Sequence, residues 1–444
     1  MTVAVSDPTR ARFAHTAVTT WGVRLLNHAV GVAVSILIAR ALGPEGRGQY
    51  YFPILVASTL FSILHLGVEH AHVFLVGQGR SMADLAANAG MLAAGAGVAG
   101  VVLGLAGWGW LHDSLMSGVP LGLLVLALLP LPLSLHHLYL AGLLVLRGEV
   151  IRVQRVNLWG AAFQAVAVGS LFAGGHLSVA WVVGVNSAAV TLIWAITLGL
   201  FTSLVPLRLG CDRALLADTL RFGLQMHLGV MLSFRNLRPD GYLVKHFLGL
   251  RELGYYSLAV SVVELVWLAC DSIATVMLPH QTRAAVRDAA ILTARTCRVN
   301  LVVALLLSGA LAAAAYPVVL LAYGREFLPA LPALWLLLPG IVLASLWRPL
   351  GGYLIRLGRP LILSAISGLV LLVNIGLNLL LIPLWGIVGA AVATTAAYVA
   401  LAAVCLAWFL RRSGVAPVEL LWIRAEGADM WRVLRRDLLR LEKP

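Results

Sequence analysis

Charged side chains are scarce in this chain. Asp, Glu, Lys and Arg make up 11% of its 444 residues, whereas 61% are hydrophobic and the mean hydropathy is +0.93. A soluble domain of ordinary composition carries about 25% charged residues. The composition therefore excludes a soluble globular protein and indicates a polytopic membrane protein.

Hydrophobic stretches long enough to cross a bilayer fill most of the sequence. A helix needs about 20 apolar residues to cross a hydrocarbon core of ~30 Å, and this criterion predicts an all-α fold with about twelve spans. The predicted spans are residues 16–39, 50–76, 85–110, 119–146, 156–174, 178–203, 220–243, 253–278, 298–321, 330–354, 360–382 and 387–410. The long fourth span contains Pro130 and Pro132, where we expect it to kink.

Basic residues are sorted by loop, and this predicts the orientation. With the N-terminus in the cytoplasm, 23 of the 32 Lys and Arg residues fall in cytoplasmic segments. This asymmetry favours a cytoplasmic location for both termini and an even number of spans. Because topology explains the net charge of +13, we expect no nucleic-acid partner.

The predicted outer loops are short and have no cluster of acidic residues. A membrane glycan polymerase or ligase generally needs a large or acidic outer loop to hold metal or substrate. We therefore expect no enzyme activity, no catalytic residue and no cofactor. The four cysteines have no motif spacing, so we predict free thiols and neither a disulfide nor a metal site.

One short pattern, L-G-x4-G-x-Y, occurs twice, in residues 42–50 and again 206 positions later in residues 248–256. Each copy precedes a long hydrophobic stretch. The chain is therefore predicted to contain two fused copies of one membrane unit. Six spans in each copy give both halves the same orientation, which is a parallel repeat about an axis along the membrane normal.

These observations divide the chain into five predicted segments. They are a cytoplasmic N-terminus (1–15), an N-terminal six-helix bundle (16–203), a cytoplasmic linker (204–219), a C-terminal six-helix bundle (220–410) and a cytoplasmic tail (411–444). The tail is basic and amphipathic, which predicts a helix lying on the anionic inner leaflet or, alternatively, binding a partner protein.

Ionisable residues inside spans form polar faces. Each costs roughly 2.5–3.5 kcal/mol on insertion scales, so its position requires an explanation. Arg24 and His28 lie on one face of the first span. The second span has a similar face, and so does its repeat mate, the eighth. The residues on these two faces are His65, Glu69 and His72 in the second span, and Glu264, Asp271 and Thr275 in the eighth.

We interpret these faces as the lining of a water-filled cavity between the bundles. Arginine donates charge-assisted, bidentate hydrogen bonds to phosphate oxygens, so an anionic cargo is expected. The predicted substrate-binding residues are Arg24, His28, Arg235, Arg348, Asn374 and Asn378. The possible ion-coupling residues, for H⁺ or Na⁺, are Glu69, Glu264 and Asp271.

Structural interpretations fit the same residues. Arg24 is also explained by pairing with Glu69 or another carboxylate, and Glu264 and Asp271 by internal ion pairs. Glu69, flanked by His65 and His72, fits proton exchange near neutral pH as well as a structural polar cluster. Arg235 fits the outer aqueous boundary equally well.

Three stretches, residues 39–51, 220–266 and 323–340, resemble polysaccharide and lipid-linked oligosaccharide (O-antigen type) flippases of the multidrug/oligosaccharidyl-lipid/polysaccharide exporter superfamily. The similarity extends roughly from Trp21 to Leu410. Asp240 matches an acidic position of the family pattern, and we predict a structural role for it. The lipid II flippase branch usually has fourteen helices, two more than predicted here.

The resemblance implies two six-helix bundles in a V, a central cavity and alternating access. The implied cargo is a polyprenyl-pyrophosphate-linked oligosaccharide that crosses the bacterial cytoplasmic membrane for surface polysaccharide synthesis. The bilayer and other polysaccharide-assembly proteins are the implied partners. An ion-coupled multidrug exporter is the alternative within the superfamily, although a cavity rich in Arg and His disfavours organic cations. A membrane glycan polymerase or ligase is disfavoured by the short outer loops.

Overall fold

The computed structural model describes residues 8–206, 208, 210–231, 238–358 and 360–415, and its regular elements are all helices. In chain order these are α1 (Pro8–Leu64), α2 (Val68–Gly77), α3 (Met82–Leu111), α4 (Leu121–Leu128), α5 (Leu131–Leu146), α6 (Val150–Ala173), α7 (Val179–Leu204), α8 (Arg213–Met231), α9 (Pro239–Leu248), α10 (Leu250–Arg283), α11 (Val286–Val318), α12 (Leu331–Ala344), α13 (Trp347–Arg356), α14 (Pro360–Trp385) and α15 (Ile387–Ser413). A π-helical turn (Val319–Tyr323) and a 3-10 turn (Arg325–Ala330) connect α11 to α12.

Ten segments of the described chain are long and apolar enough to cross a membrane. The first, Gly22–Gly77, has 56 residues and contains two predicted spans. The predicted seventh span corresponds to α8 and α9, on either side of residues 232–237, which lie outside the described part. The prediction of an all-α polytopic fold with about twelve spans is confirmed. The tail from residue 416 onward also lies outside the described residues.

The expected kink in the fourth span is present. The span is divided into α4, which ends at Leu128, and α5, which begins at Leu131, with Pro130 between them. Proline has no N–H for the hydrogen bond of a continuing helix and its ring clashes with the preceding turn, which favours an interruption there.

The two copies of the repeated pattern have the same backbone conformation. Gly43 has φ 65° and ψ −174°, and Gly249, 206 positions later, has φ 86° and ψ −173°. Residues with a Cβ rarely adopt these angles, so both positions require glycine. In each half the glycine ends one helical segment and starts the next. The backbone therefore confirms the duplication.

The second glycine of each copy lies where the two halves cross. A Cβ on Gly48 would lie 1.8 Å from the carbonyl oxygen of Leu250, and a Cβ on Gly254 would lie 1.9 Å from that of Pro44. Pro44 and Leu250 are themselves 206 positions apart, so the two contacts are equivalent under the repeat. We call this pair of contacts the motif crossing, and the end of the molecule where it lies the motif end.

The largest apolar core surrounds the motif crossing and contains residues of both halves. Phe52 and Leu55 of α1 pack in one cluster with Leu258 and Val262 of α10. A second contact between the halves joins α2 to α8. The halves therefore meet at two places, which differ in chemistry.

Candidate functional site

A buried arginine joins the two halves at the motif crossing. Arg47 is only 5% exposed. It donates hydrogen bonds to Ser35 Oγ (2.8 Å) and, across the halves, to Ser257 Oγ (3.1 Å), and its guanidinium lies 6.0 Å from the ring centre of Tyr323. Sequence reasoning assigned Arg47 to an outer loop and missed this role. One signal in the sequence was available. The first copy of the repeated pattern has a charged residue at this position, whereas the second copy has Leu253.

A second polar cluster lies beside the crossing, mainly in the C-terminal half. Arg238 Nη2 is 2.6 Å from Glu264 Oε1, and Nη1 of the same arginine donates to the Tyr51 hydroxyl at 3.0 Å. The Tyr256 hydroxyl donates to Asp240 Oδ2 at 2.6 Å. These five side chains line one pocket. Glu264 therefore has a cationic partner, and Asp240 is held by a tyrosine.

Asp271 and Arg348 form an ion pair far from the motif end. Arg348 Nε lies 2.6 Å from Asp271 Oδ1. Asp271 follows Gly249 by 22 residues, which corresponds to roughly 30 Å of helix. The pair therefore lies far from the motif end, although α10 continues beyond it to Arg283. The sequence predicted Arg348 as a substrate-binding residue and Asp271 as a possible ion-coupling residue. The structure pairs the two with each other.

The predicted polar face of the second span is interrupted. The helix stops at Leu64 and restarts at Val68, and Leu66 and Gly67 between them have positive φ angles. His65 Nδ1 nevertheless lies 3.1 Å from Glu69 Oε1. His70 Nε2 lies 3.5 Å from the same carboxylate oxygen. The structure therefore pairs Glu69 with histidines and not with Arg24.

Arg24 and His28 lie in an exposed part of α1. Both side chains are exposed, as are the neighbouring Leu25 and Leu26. Among the residues that the structure describes, neither Arg24 nor His28 has an ion-pair partner. Arg24 precedes Gly43 by 19 residues, so it lies roughly 30 Å from the motif end.

Helix α10 corresponds under the repeat to the part of α1 after Gly43 together with α2, and α1 and α10 pack against each other at the motif crossing. Toward the opposite end, α1 is exposed around Arg24, and α10 is exposed at Thr275 and Val276. On the other side of the molecule, α2 and α8 stay packed. These parts of α1 and α10 therefore lie on the surface of the protein.

The remaining predicted substrate residues lie elsewhere. Asn374 and Asn378 of α14 are 1% and 0% exposed, and Asn378 Nδ2 donates to the carbonyl of Asn374 at 2.8 Å. In this conformation a ligand could reach them only after a rearrangement. Arg235 lies outside the described residues.

The polar faces carry both paired and unpaired ionisable groups. The carboxylates of Glu69, Glu264 and Asp271 each lie against an arginine or a histidine. Arg24 and His28 have no such acidic partner within the described chain. An exposed, unpaired cation near one end of a membrane protein can bind an anion there.

Comparison with known proteins supports the fold. Residues 153–332 match the sequence profile of a family described as polysaccharide biosynthesis protein. An inward-facing multidrug resistance MATE transporter of the MOP superfamily superposes with a TM-score of 0.75 at 14% identity, covering 90% of this chain and 98% of that one. The lipid II flippase MurJ, in an inward closed conformation, gives 0.75 at 14% identity, covering 91% and 89%.

An outward-facing MATE transporter superposes less well, with a TM-score of 0.66 at 15% identity, covering 92% of this chain and 96% of that one. No curated protein sequence matches the chain. The expected resemblance is confirmed, and the chain has the fold that these exporters share.

Proposed function

We propose that the protein is a flippase that moves a polyprenyl-pyrophosphate-linked oligosaccharide across the bacterial cytoplasmic membrane by alternating access, for surface polysaccharide synthesis. The supporting observation is an exposed cation without an acidic partner. Among the described residues, Arg24 is exposed and unpaired, whereas the carboxylates of Glu264 and Asp271 pair with arginines. A pyrophosphate cannot cross hydrocarbon unaided, and cationic donors at bilayer depth would replace its hydration.

The exposed parts of α1 and α10 suit an entrance for a lipid-linked cargo. A head group could enter between the two helices while its lipid chain stays in the bilayer. Arg24 lies on α1 beside this entrance, and the Asp271–Arg348 pair lies toward the same end on α10 and α13. No bond is made or broken in this process, so no catalytic group is needed.

The distribution of basic residues supports a direction. With both termini in the cytoplasm, the motif crossing would lie at the outer face, and the opposite end of the molecule would lie in the cytoplasm. In this orientation the structure corresponds to a state that is closed outside and accepts cargo from the inner leaflet. The better superposition on inward-facing than on outward-facing relatives agrees with this assignment.

A multidrug exporter is the second candidate, because the MATE and lipid II flippase structures superpose equally well. Charge separates the two candidates. Organic cations would meet an unpaired Arg24 near the entrance, where like charges repel. We therefore rank the flippase first.

The test uses purified protein in liposomes that contain a short-chain polyprenyl-pyrophosphate carrying a fluorescent disaccharide. Transfer between leaflets is measured by the fraction of label that an added membrane-impermeant quencher reaches. One charge-assisted hydrogen bond contributes ~1.5–3 kcal/mol, so Arg24→Gln should slow transfer by about tenfold or more. Arg155→Gln, which removes an exposed cation from α6, is the matched control.

Two results would contradict the proposal. In the first, Arg24→Gln transfers the lipid at the wild-type rate. In the second, the wild-type protein transports an organic cation such as ethidium but not the lipid-linked sugar, which would establish the multidrug exporter instead.

A further inference from the structure

The second crossing of the two halves is also a contact between backbones. A Cβ on Gly67, at the break between α1 and α2, would lie 2.3 Å from the carbonyl oxygen of Gly223 in α8. A Cβ on Gly223 would lie 2.6 Å from the carbonyl oxygen of Leu66. Phe74 and Phe222 stack across the same boundary with ring centres 4.3 Å apart. We call this contact the α2–α8 crossing.

Two histidines face each other across this crossing. His65 belongs to the N-terminal half and His227 to the C-terminal half. They are 7% and 4% exposed, and their rings meet edge to face with centres 4.3 Å apart. Tyr139 of α5 donates its hydroxyl hydrogen to the carbonyl of His65 at 3.0 Å. His65 is therefore fixed at the centre of the contact.

His65 Nδ1 lies between a donor and an acceptor. The backbone N–H of Gly67 is 3.3 Å from this nitrogen, and Glu69 Oε1 is 3.1 Å from it. An unprotonated Nδ1 can accept from Gly67 but cannot donate to Glu69. A protonated Nδ1 can donate to Glu69 but cannot accept from Gly67. The presence of a hydrogen on Nδ1 therefore selects which of the two contacts is made. The contact with Gly67 requires the neutral tautomer that carries its hydrogen on Nε2, and protonation of that tautomer places a hydrogen on Nδ1.

His227 is less suited to take the first proton. Its Nε2 lies 2.9 Å from the carbonyl oxygen of Ile63, which can only accept, so this nitrogen carries hydrogen. A further proton would have to bind at Nδ1, which is buried and has no hydrogen-bond partner in the described part of the chain. A buried N–H without an acceptor is unfavourable. At His65, by contrast, a hydrogen on Nδ1 has the carboxylate of Glu69 as an acceptor at 3.1 Å.

Among the ionisable groups that surround His65 in the described chain, Glu69 is its acidic partner. His70 lies against the same carboxylate, and His72 is buried beside Tyr139 of α5. From α8 the facing group is His227. Further along, α3 and α8 carry acidic residues that are engaged with arginines, in the pairs Asp84–Arg208 and Asp218–Arg80.

We propose that His65 is a proton site that operates the α2–α8 crossing as a latch. When Nδ1 binds a proton it turns from Gly67 to Glu69, and the chain segment that forms the crossing loses a hydrogen bond. Protonation then loosens the end of the molecule opposite the motif crossing. The inference rests on the proposed function and names the proton as the ion that biases the transport cycle.

The experiment measures the separation of α2 and α8 in the absence of any cargo. Spin labels on Val73→Cys and Ala217→Cys, two exposed positions on α2 and α8, report the separation of these helices. Cys211, the exposed native cysteine, is replaced by Ser. The purified, full-length protein in lipid nanodiscs is measured by double electron–electron resonance between pH 8 and pH 5. We expect the wild-type distance to lengthen as the pH falls.

Three variants test the assignment. His65→Gln should remove the pH dependence and keep the short distance. Glu69→Gln should reduce the change in distance, because it removes the carboxylate that accepts from the protonated Nδ1. His227→Gln, which can still donate to Ile63, and the remote control His176→Gln should keep the transition. Thermal unfolding checks that each variant is folded.

The proposal is overturned if the wild-type distance does not change with pH, or if His65→Gln retains the transition. It is also overturned if His227→Gln, and not His65→Gln, loses it. A protein that shows the latch but fails to transfer the lipid-linked sugar would refute the proposed function and leave the latch intact. Lipid transfer without any pH-dependent change in the distance would refute the latch and leave the proposed function intact.

Discussion

The motif crossing leaves no room for a methyl group at either of its glycines. In Gly48→Ala the new Cβ would lie 1.8 Å from the carbonyl oxygen of Leu250, whereas real Cβ contacts essentially never fall below 3.0 Å. The backbones of α1 and α10 must therefore move apart by about 1.2 Å, the difference between these distances. The opposing atom is backbone, so no side chain can rotate away to relieve the clash.

This strain has an expected size. Overpacking of a well-packed interface typically costs about 1–3 kcal/mol. If the whole penalty falls on the state in which the crossing is closed, the ratio of closed to open molecules decreases by about 5- to 150-fold. Gly254→Ala should have the same effect, because its contact with Pro44 is the repeat-related copy. In the double variant the costs should not add, since either change already separates the same two segments.

The assay is thiol labelling of Ser261→Cys, which lies next to the crossing on α10, by a water-soluble maleimide. Both glycine variants should increase the labelling rate. Gly309→Ala, on α11, is the matched control because a Cβ there meets no atom within 4 Å. Wild-type labelling in Gly48→Ala and Gly254→Ala, together with unchanged thermal unfolding, would refute the reasoning.

Three further experiments test individual contacts. Arg47→Lys should lower the unfolding temperature and slow lipid transfer, because one ammonium group cannot reproduce the forked contacts of the guanidinium to serines of both halves. A variant with the wild-type melting temperature and transfer rate would refute this. A double-mutant cycle with Asp271→Asn and Arg348→Gln should give a coupling energy of about 1 kcal/mol or less in thermal unfolding, because the pair is partly exposed; a coupling of several kcal/mol would contradict this. Asn378→Leu should keep or raise the unfolding temperature, because the Oδ1 of Asn378 has no partner among the described residues. Loss of lipid transfer in this stable variant would support the predicted substrate role of Asn378. Unchanged transfer would show that Asn378 is not part of the substrate site.

Helical periodicity predicted which residues share a face but not which residues meet across helices. Glu264 was correctly placed on a polar face of the eighth span, yet its partner Arg238 precedes α9 and cannot be inferred from spacing. Arg348 lies 77 positions after Asp271, and only the packing of α10 against α13 brings them together. Hydropathy fixes spans and faces because both depend on local sequence, whereas ion pairs depend on the tertiary arrangement.

The burial of Asn374 and Asn378 could not be predicted for a related reason. A polar residue in a span is expected to face water, but it can also face another helix if the surrounding packing compensates. The break at Leu66–Gly67 was likewise missed, because the polar residues of the second span follow helical spacing on both sides of it. Only the pair of glycines at positions 67 and 223 could have indicated a close approach of two backbones, and the two lie far apart in the sequence.

Two residues at repeat-related positions make contacts of different kinds. His65 and Asp271 occupy equivalent positions, 206 residues apart, yet their partners differ. His65 contacts His227 across the two halves, whereas Asp271 pairs with Arg348 inside the C-terminal half. The first contact can therefore hold α2 against α8, but the second cannot hold α10 against α1. Accordingly, Arg348→Gln should leave the spin-label distance between Val73→Cys and Ala217→Cys and its pH dependence unchanged. A change in either would mean that the two sides of the molecule are coupled and that the latch is not local to His65.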